Sequence, residues 1–317
     1  MMKLVIQIPA WNEEAHLPTA LGALPKTVAG FDEVEVVVVD DGSSDRTADV
    51  ARNHGATVVR LPVHRGLAVA FAAGIRASLE RGADVIVNTD ADNQYHAGDI
   101  PALVAPILSN DAQMVVGDRQ VGDIRHFSAS KKLLQRLGSW VVRRLSRTEV
   151  RDATSGFRAI SREAALRLHV FTRFTYTLET ILQAGEAGLR VVSVPIRTNP
   201  GEVRPSRLFR SNAGYVLRSL ESIARIVVLY NPLRIFLRLG AVPIVAGLAL
   251  LSRFLWFYVT GDNPAGHVQS LILAVILTVV GFQIWVVGIV ADLIAVNRRL
   301  LEETLHRLRD SDLPPRP

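Results

Sequence analysis

Residues 268–291 form a run without one charged side chain, and residues 239–259 carry only Arg253. A helix needs about 20 mostly apolar residues to cross a hydrocarbon core, and both runs reach that length. The pair therefore reads as two membrane helices; the alternative is a pair of core helices buried in a large soluble domain. Residues 260–267 between them hold no Lys or Arg, whereas Arg225, Arg234 and Arg238 precede the pair and Arg298, Arg299, Arg307 and Arg309 follow it. By the positive-inside rule this is a hairpin with both ends on the cytoplasmic side.

The first 200 residues have a different rhythm. Short β-branched runs at 3–8, 35–39, 57–61, 85–88 and 114–116 alternate with helical patterns at 13–24, 45–54, 66–81 and 99–108. Such alternation predicts an α/β domain with a mostly parallel sheet. The first ten residues read as its first strand and not as a signal peptide, because Pro9, Glu13 and Glu14 interrupt the apolar run. With no cysteine in the chain, disulfides and thiolate metal sites are excluded.

The net charge is +6, and its distribution is uneven. No acid occurs between Asp123 and Glu149, while Arg125, Lys131, Lys132, Arg136, Arg143, Arg144 and Arg147 do. Leu133, Leu134, Leu137, Trp140, Val141 and Leu145 recur there at helical spacing, as expected of a helix lying in a membrane interface. A second acid-free stretch, 203–220, carries Arg204, Arg207, Arg210 and Arg218. Neither carries an interleaved aromatic platform on which bases could stack, so membrane phosphate suits them better than nucleic acid.

Ligands of parallel α/β sheets bind beyond the carboxyl ends of the strands, and the polar clusters of this sequence fall there. Asp90-Ala91-Asp92 follows the fourth strand, and two carboxylates one residue apart can hold Mg²⁺ together with substrate phosphates. Asp40-Asp41-Gly42-Ser43-Ser44-Asp45 follows the second strand. Ser44 or Asp45 can cap the next helix, which leaves further acids to bind a ribose or a base.

Five segments in order, Ile8–Glu14, Val39–Thr47, Asn88–Gln94, Val116–Arg119 and Asp152–Arg158, resemble the family 2 glycosyltransferases, specifically the branch acting on polyprenyl phosphates. That resemblance implies a GT-A fold carrying a C-terminal transmembrane hairpin. It implies inverting, Mg²⁺- or Mn²⁺-dependent transfer from a GDP- or UDP-linked sugar to an undecaprenyl- or dolichyl-type phosphate. It implies a catalytic domain on the cytoplasmic face of the inner membrane, in a branch whose protomers often assemble. By matching positions, Pro9, Trp11, Glu13, Val38 and Asp40 line the nucleotide pocket with Asp90, Ala91 and Asp92, while Asp90, Asp92 and Gln94 surround the metal. Arg119, Lys131, Lys132 and Arg136 hold the lipid phosphate, and Arg204, Ser206 and Arg207 close over the diphosphate. Catalysis falls to Asp92, Arg119 and Asp152. The implied layout is a catalytic domain over 1–202, a basic juxtamembrane segment over 203–232, the hairpin over 233–297 and a cytoplasmic tail over 298–317.

Trp11 stands where the family usually has Tyr, and Gly201–Arg207 departs from the usual Arg-x-x-Gly-x-Ser-Lys closing motif. A processive polysaccharide synthase, a transferase to another acceptor and a catalytically silent scaffold are the alternatives. The first lacks its Gln-x-x-Arg-Trp signature here, and the last has no need of acids clustered at one edge. No Asp–His pair is evident as a general base. None is needed, because a phosphate monoester with a second pKa near 6 is already mostly dianionic at neutral pH.

Overall fold

The computed structural model describes residues 1–120, 129–168, 170, 176–199, 221, 224–225, 228, 230–260 and 268–312; the side chains of 129–136, 299, 302–303 and 305–312 are outside that description. The chain divides into two compact units, Met1–Leu220 with Glu302–Pro317, and Glu221–Leu301.

In the first unit seven strands form one sheet: β1 (Lys3–Ala10), β2 (Glu33–Asp40), β3 (Thr57–Arg60), β4 (Val85–Asn88), β5 (Met114–Asp118), β6 (Arg158–Ser161) and β7 (Val191–Pro195). Their order is β3-β2-β1-β4-β6-β5-β7. Every pair is parallel except those of β6, which runs against both β4 and β5. The sheet is thus mostly parallel, as the alternating pattern requires. Seven of the eight residues of β1 are buried, because helices cover both faces of a strand placed centrally in a wound sheet. Leu4, Ile6, Val85, Val87, Val115 and Phe157 pack in one apolar cluster and Ile8, Val38 and Ala51 in a second. Each large apolar side chain so buried contributes about 1.5–3 kcal/mol.

The helices α1 (Leu17–Ala23), α2 (Thr47–Asn53), α3 (Leu67–Glu80), α4 (Ile100–Leu108), α5 (Ala129–Ser146), α6 (Arg162–Arg167) and α7 (Tyr176–Glu186) connect the strands. The first helix starts four residues later than the apolar pattern predicts. Pro18 sits in its first turn, where a fixed φ and a missing N–H favour initiation, and Glu13 and Glu14 instead lie in a turn. On α5, Ser139, Val142 and Ser146 are buried, while Leu137, Trp140, Arg143, Arg144 and Arg147 line the exposed side at and just beyond its end. The second basic stretch, 203–220, lies outside the described residues.

The second unit contains α8 (Pro232–Thr260) and most of α9 (Val268–Asp312). Both are long and apolar enough to cross a membrane, with mean hydropathies of 2.0 and 2.5 in their apolar stretches. A stripe of small residues lets the two backbones meet. A Cβ on Gly240 would lie 2.7 Å from the Gly281 carbonyl oxygen, and one on Gly247 would lie 2.8 Å from that of Ala274. Trp285 Nε1 donates to the Leu237 carbonyl at 3.0 Å. The partners pair antiparallel, as expected of a hairpin. Residues 298–312, within the expected cytoplasmic tail, continue α9, a helix of 45 residues.

Candidate active site

The antiparallel strand β6 assembles the site. Parallel strands β1, β2, β4 and β5 end at one edge of the sheet, so Trp11, Asp40, Asp90 and Arg119 follow there in turn. Because β6 runs the other way, its beginning lies at that same edge, and the loop 152–157 enters between β4 and β5. Asn88 pairs with Arg158, and so does Val116.

Asp152 and Arg119 meet as a buried pair. Arg119 Nε donates to Asp152 Oδ2 at 2.7 Å, and its Nη2 to Asp152 Oδ1 at 3.0 Å and to Thr154 Oγ1 at 2.8 Å. Their side chains are 8% and 2% exposed, so each ion depends on the other. Burial alone would raise the Asp152 pKa, but the hydrogen bonds and charge of Arg119 outweigh it and hold the carboxyl below the usual range. Burial likewise opposes the Arg119 charge, and the surrounding Tyr95, Asp152 and Asp90 more than offset it, raising its pKa.

Asp90 sits beside this pair. Burial first, and the charge of Asp92 second, push its pKa up to about 7, against the lowering influence of Arg119, the Tyr95 hydroxyl and Arg158. Tyr95 is itself raised to about 12 by burial and by Asp90, so it stays protonated and can donate. Its oxygen accepts from the Gly156 amide at 2.9 Å. Gly156 packs tightly here, since a Cβ there would lie 3.0 Å from Asp90 Oδ1 and from the Tyr176 hydroxyl. Beneath them Gln7 Nε2 donates to Asn88 Oδ1 at 2.9 Å, and Asn88 Nδ2 donates to the Gly156 carbonyl at 2.7 Å. Arg158 is fully buried and donates to the carbonyls of Ser155 and Ala153 and to Thr180 Oγ1. Burial, with Arg119 adding repulsion, lowers its pKa to about 10, so it remains a cation under the acid cluster.

On the other flank, loops 11–14 and 41–47 are stitched together. Asn12 donates its amide to Ser43 Oγ, and its Oδ1 accepts from the Ser44 amide, both at 2.9 Å; the Glu13 amide donates to Thr47 Oγ1. Asp40 is fully buried, accepts from the Ser43 amide and lies 3.2 Å from Arg60 Nε. Asp41 accepts from the amides of Arg65 and Gly66 at 2.8 Å each. It also lies 2.9 Å from His64 Nδ1, and His64 stacks on Trp11 at 4.0 Å between ring centroids. An Asp–His pair thus exists, contrary to the sequence expectation. Asp41 and His64 are separated by 22 intervening positions, so spacing gave no sign of it.

Pro9, Trp11, Glu13, Val38, Asp40, Asp90, Ala91, Asp92 and Gln94 all fall at this edge, together with Arg119 and Asp152. Lys131, Lys132 and Arg136 belong to α5, with side chains outside the description; Arg204, Ser206 and Arg207 lie outside the described residues altogether. No group of three or more His, Cys, Asp or Glu able to hold a metal occurs among the described residues. The carboxylates of Asp90 and Asp92 still fit a hard cation: the charge of Asp92 penalises that of Asp90, a divalent ion between them would remove that penalty, and substrate phosphates complete such sites. Tyr95, Gly156, Arg158 and Tyr176 were given no role from sequence. The signal was there in Gln7 and Asn88, polar residues inside otherwise apolar strands.

A mostly parallel mixed sheet with paired acids after its fourth strand and at the end of its second is the arrangement of a GT-A-type fold. Residues 5–168 match the glycosyl transferase family 2 model, and the chain belongs to that family. It is 31% identical over 235 residues to an undecaprenyl-phosphate mannosyltransferase of Micrococcus luteus, covering 71% of this chain and 93% of the relative. It is 27% identical over 272 residues to a dolichol-phosphate mannosyltransferase of Pyrococcus furiosus, covering 83% and 74%. Among solved structures, glucosyl-3-phosphoglycerate synthase of Mycobacterium tuberculosis, in complex with Mn²⁺, uridine diphosphate and phosphoglyceric acid, is 25% identical. The two superpose with a TM-score of 0.52 over 70% of this chain and 78% of that one.

Proposed function

We propose that the protein transfers a sugar from a GDP- or UDP-linked donor to a polyprenyl phosphate at the cytoplasmic face of a membrane, with inversion at the sugar. The observation that carries this reading is the Arg119–Asp152 pair beside Asp90. A carboxylate held by two hydrogen bonds from an arginine is a poor proton acceptor, and an acceptor that arrives as a phosphate dianion requires none. What such a reaction needs is fixed positive charge where two anionic groups approach each other. Arg119 has a third nitrogen, Nη1, that donates to no described residue and can meet the acceptor phosphate.

Asp90 and Asp92 would hold a Mg²⁺ or Mn²⁺ ion, with Gln94 at its margin, and that ion supplies charge neutralisation for the departing diphosphate. Asp40 would accept from the base or ribose, with Trp11, Pro9, Glu13 and Val38 shaping the same pocket. Lys131, Lys132 and Arg136, and Arg204, Ser206 and Arg207, are proposed to supply further charge to the lipid phosphate and the diphosphate. The apolar helices α8 and α9 would hold the enzyme in the bilayer that carries its acceptor, and the basic outer side of α5 would rest on anionic lipid.

Full-length protein in vesicles, given a panel of labelled GDP- and UDP-sugars with undecaprenyl phosphate and Mg²⁺ or Mn²⁺, tests the proposal. The expected result is one donor consumed with label appearing on lipid. Transfer to phosphoglyceric acid, with lipid phosphate ignored, would replace this reading with that of a small-molecule acceptor.

A further inference from the structure

The segment leaving β7 straps down the loop that follows Asp90 and Asp92. β7 is parallel to β5, so residues 196–199 emerge at the carboxyl edge and turn back across residues 93–99. Thr198 forms an antiparallel bridge with Tyr95. The Asn199 amide donates to the Gln94 carbonyl at 2.9 Å. Its side-chain Nδ2 faces three acceptors: the Asn93 carbonyl at 2.9 Å, Asn93 Oδ1 at 3.2 Å and the Tyr95 carbonyl at 3.2 Å. Two protons shared among three acceptors satisfy carbonyls that a tight turn leaves exposed. The turn is tight because Asn93 has φ of 56°, a left-handed conformation that asparagine tolerates better than most residues.

Both residues held by Asn199 connect onward to the acids. The Gln94 amide donates to Asp92 Oδ1 at 3.1 Å, and the Tyr95 hydroxyl, which accepts from the Gly156 amide at 2.9 Å, favours the ionised form of Asp90. Asn199 therefore stands a single residue behind each acid, through its backbone amide toward Asp92 and through its side chain toward Asp90. Arg197 anchors the strap elsewhere, donating through Nε and Nη2 to Asp99 Oδ1 at 3.0 and 2.6 Å.

We infer that Asn199 is a positioning residue for the metal site, fixing the spacing of Asp90 and Asp92 through the backbone of residues 93–95. The inference rests on the proposed metal role of those two acids. Groups that hydrogen-bond a metal ligand directly change metal affinity by roughly 10- to 100-fold when removed; Asn199 acts one residue further back, and Asn199→Ala is expected to weaken metal binding by about the lower of these factors. Mn²⁺ titration of the full-length protein by electron paramagnetic resonance, without donor or acceptor, reads this directly. Three variants accompany it. Asn199→Ser keeps one short donor and is expected to fall between Asn199→Ala and wild type. Arg197→Gln loosens the strap at Asp99 without touching residues 93–95, and is expected to lower stability while binding Mn²⁺ as wild type does. Asp92→Asn is expected to abolish binding.

Should Asp92→Asn bind normally, the metal assignment itself fails and the inference falls with it. Should Asp92→Asn lose Mn²⁺ while both Asn199 variants match wild type, only the inference fails. Equal weakening in Arg197→Gln would likewise reduce Asn199 to general stability.

Discussion

At the carboxyl edge of the sheet, Arg119 meets Asp152 through two hydrogen bonds of 2.7 and 3.0 Å; between α8 and α9, Gly281 meets Gly240 through the absence of a side chain on either. The first region works by placing polar groups against each other at fixed distances. In the second, two backbones come close because nothing intervenes. In both, a small set of atoms decides the geometry, but different changes break them. The edge is damaged by removing a group and the helix pair by adding one.

The largest effect expected from this contrast is at Arg119. Arg119→Ala removes a positively charged donor aimed at the reacting groups, and losses of about 10²–10³ in turnover attend such removals. It also leaves Asp152 buried without its partner, at about 3–5 kcal/mol of stability. Arg119→Lys keeps the charge and loses the two-point geometry, so it should recover most stability and little turnover. Turnover in vesicles and denaturant unfolding together check both. Full activity in Arg119→Ala would remove the edge from the comparison.

Gly281→Leu is the converse change. A Cβ at 281 already lies 2.5 Å from Ile244 Cγ1 and 2.7 Å from the Gly240 carbonyl, and overpacking of this kind costs about 1–3 kcal/mol. The helix pair should unfold at lower denaturant in micelles while Mn²⁺ affinity stays at the wild-type value. A matching loss of Mn²⁺ affinity would show that the two regions are not separable.

A smaller effect sharpens the chemistry of the edge. The acid limb of the turnover profile should follow the acceptor phosphate, near pH 6, because Asp152 is held below the ordinary carboxylate range and a divalent ion on Asp90 would keep that acid ionised. With a phosphonate acceptor of higher second pKa the limb should move up. A limb that stays in place would make a protein group the base.

The smallest effect concerns Asp99. Burial would raise its pKa, but hydrogen bonds from Arg197 outweigh that and lower it. A lowered folded-state pKa means stability that is present above the unfolded value of about 3.9 and is lost as pH falls through the folded one. Wild type and Arg197→Gln should therefore differ in stability near neutral pH and converge in acid. A gap that persists at pH 2 would assign the contribution to packing.

The two regions also differ in how they could be read from the chain. The helix pair is legible from composition, since a run without charge needs no partner to be recognised, but the glycine positions become meaningful only when the facing helix is known. At the edge, Asp40, Asp90 and Asp92 were legible because each ends a strand whose apolar run is plain. Arg158 and Tyr176 were not. The strand that brings Arg158 in is four residues long and runs against its neighbours, and Tyr176 reaches Asn88 across 88 positions. His64 escaped notice for the same reason: its partners Asp41 and Trp11 become neighbours only once strands β1 and β2 are paired.

The antiparallel strand β6 has a consequence in time as well as in space. Strands β1 to β4 can wind up from successive crossovers as the chain emerges, and they carry Asp40, Asp90 and Asp92 into place. Strand β6 needs β4 on one side and β5 on the other, and the residue that fits against Asp90, Gly156, lies 68 positions beyond its partner Asn88. Contacts that close such long loops form late, because chain entropy must be lost before they return any energy. The nascent protein thus holds a pair of acids with no arginine opposite them until β6 docks, and the strap at Asn199 arrives later still. Changes confined to residues 150–199 are expected to slow maturation of the site while leaving the early half of the sheet to form on schedule, which pulsed hydrogen exchange during refolding resolves residue by residue.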